Sequence, residues 1–334
     1  MPTLSVLDQS PIAAGSTPAD ALARTIELAK VAERLGYKRY WLAEHHNSGG
    51  LAGSAPEVLI ARVAAETSRI RVGSGGVMLP HYSAFKVAEV FRVLETLYPG
   101  RIDLGIGRAP GSDQLTARAL QRVPEAPAPD DFPRQLAELE GYLAGNLPDE
   151  HPFARVAVMP TGAGMPELWL LGSSDYSAAY AAHYGHAFSF AHFISGGGGE
   201  QVVRAYQDHF RPSARLKQPQ ASVGVSVTCA ETEAEARRLA ASRELWRLRL
   251  HTGRIGPIPT PEEALAYDYS PVERRMVAQT RAGSIVGDPA QVKAGLLAMG
   301  ERYRVDEFVI VTVVHDYDAR VRSYELVAQA FGFV

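Results

Sequence analysis

The sequence predicts an α/β fold, a closed (β/α)8 TIM barrel with insertions after its fourth and seventh strands. Three observations predict it. Short apolar runs alternate with amphipathic segments through eight β-then-α units. Such runs are apolar on both alternations, as in FVIVTVV at 308–314, the pattern of strands covered on both faces. With 334 residues, the chain has room for the ~250 of such a barrel and for two excursions. The competing architecture is an open doubly wound sheet, which calls for a phosphate fingerprint after the first strand. Asp8-Gln9-Ser10-Pro11 lacks one.

Residues 4–7 read as the first strand. A helix over 19–35 follows, with Ala23, Ile26, Ala29 and Ala32 near helical spacing and Gly36 as its stop. The second strand is 39–43. The helix over 56–67 carries proline in its first turn. The third strand, 70–79, is glycine-rich toward its end, and the helix 84–97 stops at Pro99-Gly100. The fourth strand is 101–106. Residues 109–160 then break the rhythm with Pro110, Pro124, Pro127, Pro129, Pro133, Pro148, Pro152 and Pro160 around one helix at 134–143. They read as an insertion. Strands at 168–171, 187–191 and 222–228 alternate with helices at 174–184, 200–210 and 233–248. A second irregular stretch covers 251–283, with Pro257, Pro259, Pro261 and Pro271. A helix at 290–303, a strand at 307–313 and a helix at 319–331 complete the pattern, so residues 1–334 read as a single domain.

Composition narrows the function. The net charge of −3 argues against a nucleic-acid protein held by a global basic field. One cysteine, Cys229, excludes an internal disulfide framework and any multi-cysteine metal site. MPTLSVLDQSP has no basic region ahead of a long apolar stretch, and no run of about 18 apolar residues occurs. A cytoplasmic protein without a membrane partner is expected. Of the 34 basic residues, only Lys30, Lys38, Lys86, Lys217 and Lys293 are lysine, and none ends a predicted strand. That disfavours Schiff-base chemistry. No H-x-H pattern on the first strand suggests a metallohydrolase.

Barrels place their chemistry at the C-terminal ends of the strands. Here those ends carry Glu44-His45-His46-Asn47, Gly73-Ser74-Gly75-Gly76, the stretch 105–111, Gly172-Ser173-Ser174, and His192 with the glycines 196–199. Gly172-Ser173-Ser174 opens a helix directly after a strand. Its free N–H groups and hydroxyls suit a phosphate, with Arg108 from the neighbouring strand; ordinary N-capping by either serine fits as well. Residues 105–111 approach G-x-G-x-x-G, but Pro110 occupies the third glycine position, so a dinucleotide fingerprint is rejected. His45 and His46 are adjacent on an extended segment and point to opposite sides, so one faces the barrel mouth. Adjacent histidines are poor metal spacing, and no metal site is expected. An acid/base role near neutral pH is the functional reading, and a structural histidine the alternative. His183 and His186 read as structural.

AEHH (43–46), GSGGVMLPHYS (73–83), PGRIDLGIGRAPG (99–111) and LGSSDYSAA (171–179) together resemble the bacterial-luciferase-like, flavin-dependent monooxygenase superfamily. The chain looks most like its luciferase-like monooxygenases that begin LSVLDQSP (LLM class flavin-dependent oxidoreductases), over residues 4–331. The resemblance implies a flavoprotein oxidoreductase using reduced FMN and O2 on a small organic substrate. A separate, transient flavin reductase would supply the flavin from NAD(P)H. It implies His45 as the catalytic position beside His46. It further implies flavin contacts from Arg108, Gly172, Ser173 and Ser174, and a cis peptide under the flavin at Gly75-Gly76. Gly107 and Gly172 depart from the cysteine and glutamate of luciferase, which speaks against light emission. The family pattern also implies a mobile lid at 251–283 and a homodimer through helices near 56–68 and 84–97. An F420-dependent oxidoreductase and a non-catalytic flavin-binding protein are the alternatives.

Overall fold

The computed structural model describes residues 1–109, 111–121, 131–162 and 164–333. Nine strands are assigned among them: β1 (Thr3–Asp8), β2 (Arg39–Leu42), β3 (Arg71–Met78), β4 (Ile102–Gly107), β5 (Glu167–Gly172), β6 (Ala187–Ala191), β7 (Ala221–Cys229), β8 (Ser284–Gly287) and β9 (Glu307–Val311). All pair in parallel. β1 to β6 follow in order, β6 pairs β7, β7 pairs β9 and β9 pairs β1, which closes an eight-stranded barrel ringed by helices. β8 stands outside this ring and pairs only with the end of β7.

The period-2 alternation of the strands sorts side chains onto two surfaces. Leu4, Val6, Tyr40, Leu42, Leu168, Leu170, Phe188, Phe190, Phe308 and Ile310 belong to the large core beneath the helices. The alternate positions fill the barrel in layers. Nearest the N-terminal ends lie Ser5, Arg39, Asp103 and Glu307, all buried, with Glu167 beside them. Arg39, only 1% exposed, donates at 2.8 Å to each of Asp103, Glu167 and Glu307. Arg71 donates to the other oxygen of Asp103 at 2.7 Å. Burial by itself would lower the Arg39 pKa, but the three carboxylates hold it above its ordinary value. Above this layer Trp41 and Trp169 meet edge-on at 5.3 Å. Their indole N–H groups donate down to Asp103 (2.9 Å) and Glu167 (3.0 Å). The strands are thus not apolar on both faces throughout: the inward positions near the barrel base are ionic, because five strands converge there and can pair every charge.

Several elements differ from the pattern expected. The stretch 251–283 is not irregular. It contains helices Pro261–Ala266 and Pro271–Ala282, each N-capped by a hydroxyl, Thr260 or Ser270, with proline in its first turn. Ser270 and Glu273 form a full capping box, a legible signal masked by the prolines around it. Both helices pack Ala264 and Val277 on Ala241, Leu245 and Leu248 of the helix Glu233–His251. β8 was not expected, because four residues carry too little periodicity. Between β4 and β5 lie helices Gln114–Gln121 and Phe132–Ala144. Pro110, Pro124, Pro127 and Pro129 fall outside the described residues. Among the described residues no helix is long and apolar enough to cross a membrane.

Replacing Arg39 by methionine would strand Asp103 and Glu307 in the interior. The expected loss is about 3–5 kcal/mol of unfolding free energy, the cost of breaking a buried ion pair from one side. Urea unfolding monitored by tryptophan fluorescence measures it; a loss below about 1 kcal/mol would mean that Arg71 alone satisfies the carboxylates.

Candidate active site

Above the tryptophan layer the barrel opens into a cavity of about 280 Å³. Each of the eight barrel strands lines it, among others with Leu7, Trp41, Gly75, Gly107, Leu171, Ala191, Gly224 and Val309. The body is apolar. At one rim stand Arg108, Ser173 and Ser174.

Local sequence explains why the cavity is there. β3 carries a register shift against β4 between Ser74 and Val77, and the Gly75–Gly76 peptide inside it is cis. A Cβ on Gly76 would stand 2.7 Å from both the Gly105 carbonyl oxygen and Leu171 Cδ1. At Gly107 it would meet Met78 Sδ at 3.0 Å. Gly76 is thus packed too closely against β4 and β5 for a side chain, Gly107 has room for one only if Met78 gives way, and as glycines both line the cavity with backbone alone. β5 ends at Gly172, and Ser174 sits in extended conformation at the N-cap of the helix Asp175–Tyr184. Its hydroxyl makes no capping bond, so the first turn keeps its free N–H groups and the serine keeps its donor. That favours the anion reading of Ser173 and Ser174 over simple capping. Arg108 stacks its guanidinium 4.0 Å above the Tyr176 ring in the same helix, which braces it at the rim.

Gly75, Gly76, Arg108, Gly172, Ser173 and Ser174 therefore come together on one cavity. His45 and His46 do not line it. They lie on the segment after β2, held there by backbone bonds from His45 N–H to the Gly53 carbonyl (2.9 Å) and from His46 N–H to the Gly111 carbonyl (3.2 Å). The anchor of this segment is Glu44, which sequence reasoning passed over. Its buried carboxylate accepts from His46 Nε2 (2.8 Å), the Tyr82 hydroxyl (2.7 Å) and the Met78 N–H (3.0 Å). An acidic residue directly before two histidines was the available signal.

His45 sits in a different electrostatic setting. Its Nδ1 is enclosed and has no hydrogen-bond partner. Burial, then the neighbouring His46 and Arg247, push its pKa down to about 4. The ring is neutral at physiological pH. It can accept a proton or a hydrogen bond there, but it is not an imidazolium acid; the near-neutral titration expected from sequence is displaced downward by desolvation. His183 and His186 lie away from the cavity.

Comparisons with known proteins show the family and the fold. The family model for luciferase-like monooxygenases matches residues 3–307. A luciferase-like monooxygenase of Escherichia coli (strain K12) is 42% identical over 322 residues, covering 96% of this chain and 95% of its own. An N-acetyl-S-alkylcysteine monooxygenase of Bacillus subtilis (strain 168) is 40% identical over 331 residues, with coverages of 98% and 97%. The crystal structure of apo-MsnO8 matches with a TM-score of 0.91 at 41% identity, covering 100% of this chain and 99% of that one. Two more distant structures share the fold. One is a type II Baeyer–Villiger monooxygenase in complex with FMN (TM-score 0.72, 18% identity, coverages 98% and 97%). The other is an F420-dependent secondary alcohol dehydrogenase (TM-score 0.70, 13% identity, coverages 98% and 98%). By the extent of the family match and the near-full-length identity to its relatives, the chain belongs to the luciferase-like monooxygenase family.

Proposed function

We propose that the protein is a monooxygenase that uses reduced FMN and O2 on a small organic substrate, with the reduced flavin delivered by a separate cytoplasmic reductase drawing on NAD(P)H. One observation carries the reading. Six residues from three separate motifs line a single cavity with an apolar body and a cationic, donor-rich rim. FMN has the matching polarity, a flat ring at one end and a phosphate at the other. The residues fit the cofactor: Gly75, Gly76 and Gly107 present bare backbone to the apolar cavity, where a flat ring can lie, and the Ser174 hydroxyl makes no capping bond at the rim.

Arg108, Ser173, Ser174 and the first N–H groups of the Asp175–Tyr184 helix would hold the phosphate. Gly75 and Gly76 would leave room for the ring. When bound, reduced FMN supplies the two electrons that let O2 divide, one oxygen atom entering the substrate and the other leaving as water. The protein positions, excludes water and handles the proton. His45, neutral and with an unpartnered Nδ1, would accept the proton, and Glu44 would position its neighbour His46. Residues 251–283 would shield the mouth from water. Support comes from Ile258, which bonds through N–H to the Ile12 carbonyl and through its carbonyl to the Ala14 N–H, both 2.8 Å, tying this segment to the loop after β1. The exposed side chains of Val58, Val93 and Leu97, on helices Pro56–Glu66 and Ala84–Leu97, support a homodimer through those helices.

Titration with FMN, reduced FMN and F420 tests the cofactor. Reduced FMN is expected to bind tightest, and a preference for F420 would transfer the reading to a deazaflavin oxidoreductase. Arg108→Gln should weaken FMN binding about tenfold or more, the value of a charge-assisted phosphate contact, read by flavin fluorescence. His45→Ala should lower turnover by about 10²–10⁴-fold while FMN affinity stays within a few-fold; unchanged turnover would point to a non-catalytic flavin binder. Because His45 must be neutral to accept a proton, activity persists as pH falls and is lost near the His45 value of about 4. An acid limb of kcat/KM centred near the free-histidine value of ~6.5 would assign that role elsewhere. Light scattering should give twice the 36.1 kDa chain mass.

A further inference from the structure

A second cavity of about 140 Å³ adjoins the first. Phe193 and Ile194, after β6, line both. Its opposite wall is one face of the helix Glu233–His251, where Arg243 and Arg247 stand one turn apart. The remainder is largely apolar or neutral, with Leu248, Met276 and Thr280.

Among the described residues neither arginine has a carboxylate within ion-pair distance. Arg243 is 6% exposed, and its donors reach only neutral acceptors: Ser284 Oγ at 3.0 Å and the Phe193 carbonyl at 3.5 Å. Arg247 Nε is buried with no partner at all. The adjacent carboxylate, Glu244, is taken by Arg281, which grips both of its oxygens at 2.9 and 2.7 Å. His251 also lines the cavity, but its Nδ1 lies 2.7 Å from the Arg247 backbone carbonyl. A buried guanidinium beside a partly buried one, with no counter-charge bonded to either, is costly, and buried cations are ordinarily paired. Burial, then Arg247, push the Arg243 pKa down to about 9 despite Glu244, and burial lowers Arg247 as well. Arg247 also helps keep His45 neutral. An entering anion would supply the counter-charge that both arginines lack.

We propose that Arg243 and Arg247 form the binding pocket for a carboxylate on the organic substrate, whose remaining chain passes Phe193 and Ile194 into the larger cavity. The inference rests on the monooxygenase reading and names the substrate class: small organic acids with an apolar reacting end. The planar guanidinium fork suits a carboxylate, and the small volume admits one anionic group with its first carbons. The relative that acts on N-acetyl-S-alkylcysteines takes a substrate of this type, a carboxylic acid bearing a thioether.

Calorimetric titration of the full chain, with and without oxidised FMN, tests it. The probes are N-acetyl-S-methyl-L-cysteine and its carboxamide, equal in shape and different in charge. The acid should bind at least about tenfold tighter than the amide, the worth of one charge-assisted hydrogen bond. Arg247→Gln should erase that preference, Arg247→Lys should restore part of it, and the FMN affinity of both variants should match the wild type. Arg247 is the position to vary because its Nε holds no other group in place, whereas Arg243 secures two. Equal binding of acid and amide, no binding of the acid, or a preference kept in Arg247→Gln would overturn the proposal. So would a tenfold loss of FMN affinity in Arg247→Gln, which would assign the pair to the flavin phosphate. Failure of FMN to bind the wild-type chain would overturn the flavin reading instead, since the acid–amide comparison is also made without flavin.

Discussion

The three-way contact of Arg39 with Asp103, Glu167 and Glu307 is the constraint on which the interior of this barrel depends. One guanidinium joins β2, β4, β5 and β9 across the lumen. A barrel of eight parallel strands needs filling at its base, and aliphatic side chains from all strands would do it without direction. An ionic hub does it with direction: each carboxylate must meet a particular N–H, which constrains strand register around the ring. The bridged carboxylates then accept from the indoles of Trp41 and Trp169, which sets the orientation of the next layer.

That layer is the floor of the active site. Large rings below and glycines beside them produce a cavity with an abrupt lower boundary. The contrast between bulky and absent side chains, on strands only a few residues long, accounts for a site inside a packed barrel. The outward positions of the same strands remain aliphatic and anchor the helices, so site and scaffold share strands without sharing surfaces.

Charge is also distributed by position. At the base every cation has its carboxylates. At the rim of the cavity Arg108 is braced by an aromatic face, and in the adjoining cavity Arg243 and Arg247 have no carboxylate within ion-pair distance among the described residues. With a net charge of only −3 the chain has no global field to attract an anionic ligand; local cations in a low-dielectric pocket take that part. Burial, then the neighbouring His46 and one of these cations, Arg247, keep His45 neutral.

The amino-acid sequence by itself determined the eight-fold βα rhythm, the glycine-rich strand ends, and the motifs that line the cavity. These are local signals: period-2 and helical spacing, turn residues and short strings with fixed chemistry. Cap chemistry at Thr260 and Ser270 was equally local, but it was outweighed by proline density and so left two helices unread. Only the tertiary structure decided the rest. Arg39 and Glu307 lie 268 positions apart, and no spacing rule pairs them. Glu44 became an anchor because β3 brings Met78 and Tyr82 to it. His45 looked like a near-neutral acid/base group, but burial, then the adjacent His46 and the distant Arg247, lower its proton affinity. Burial and long-range juxtaposition create these properties, and neither is written in the neighbourhood of a residue along the chain.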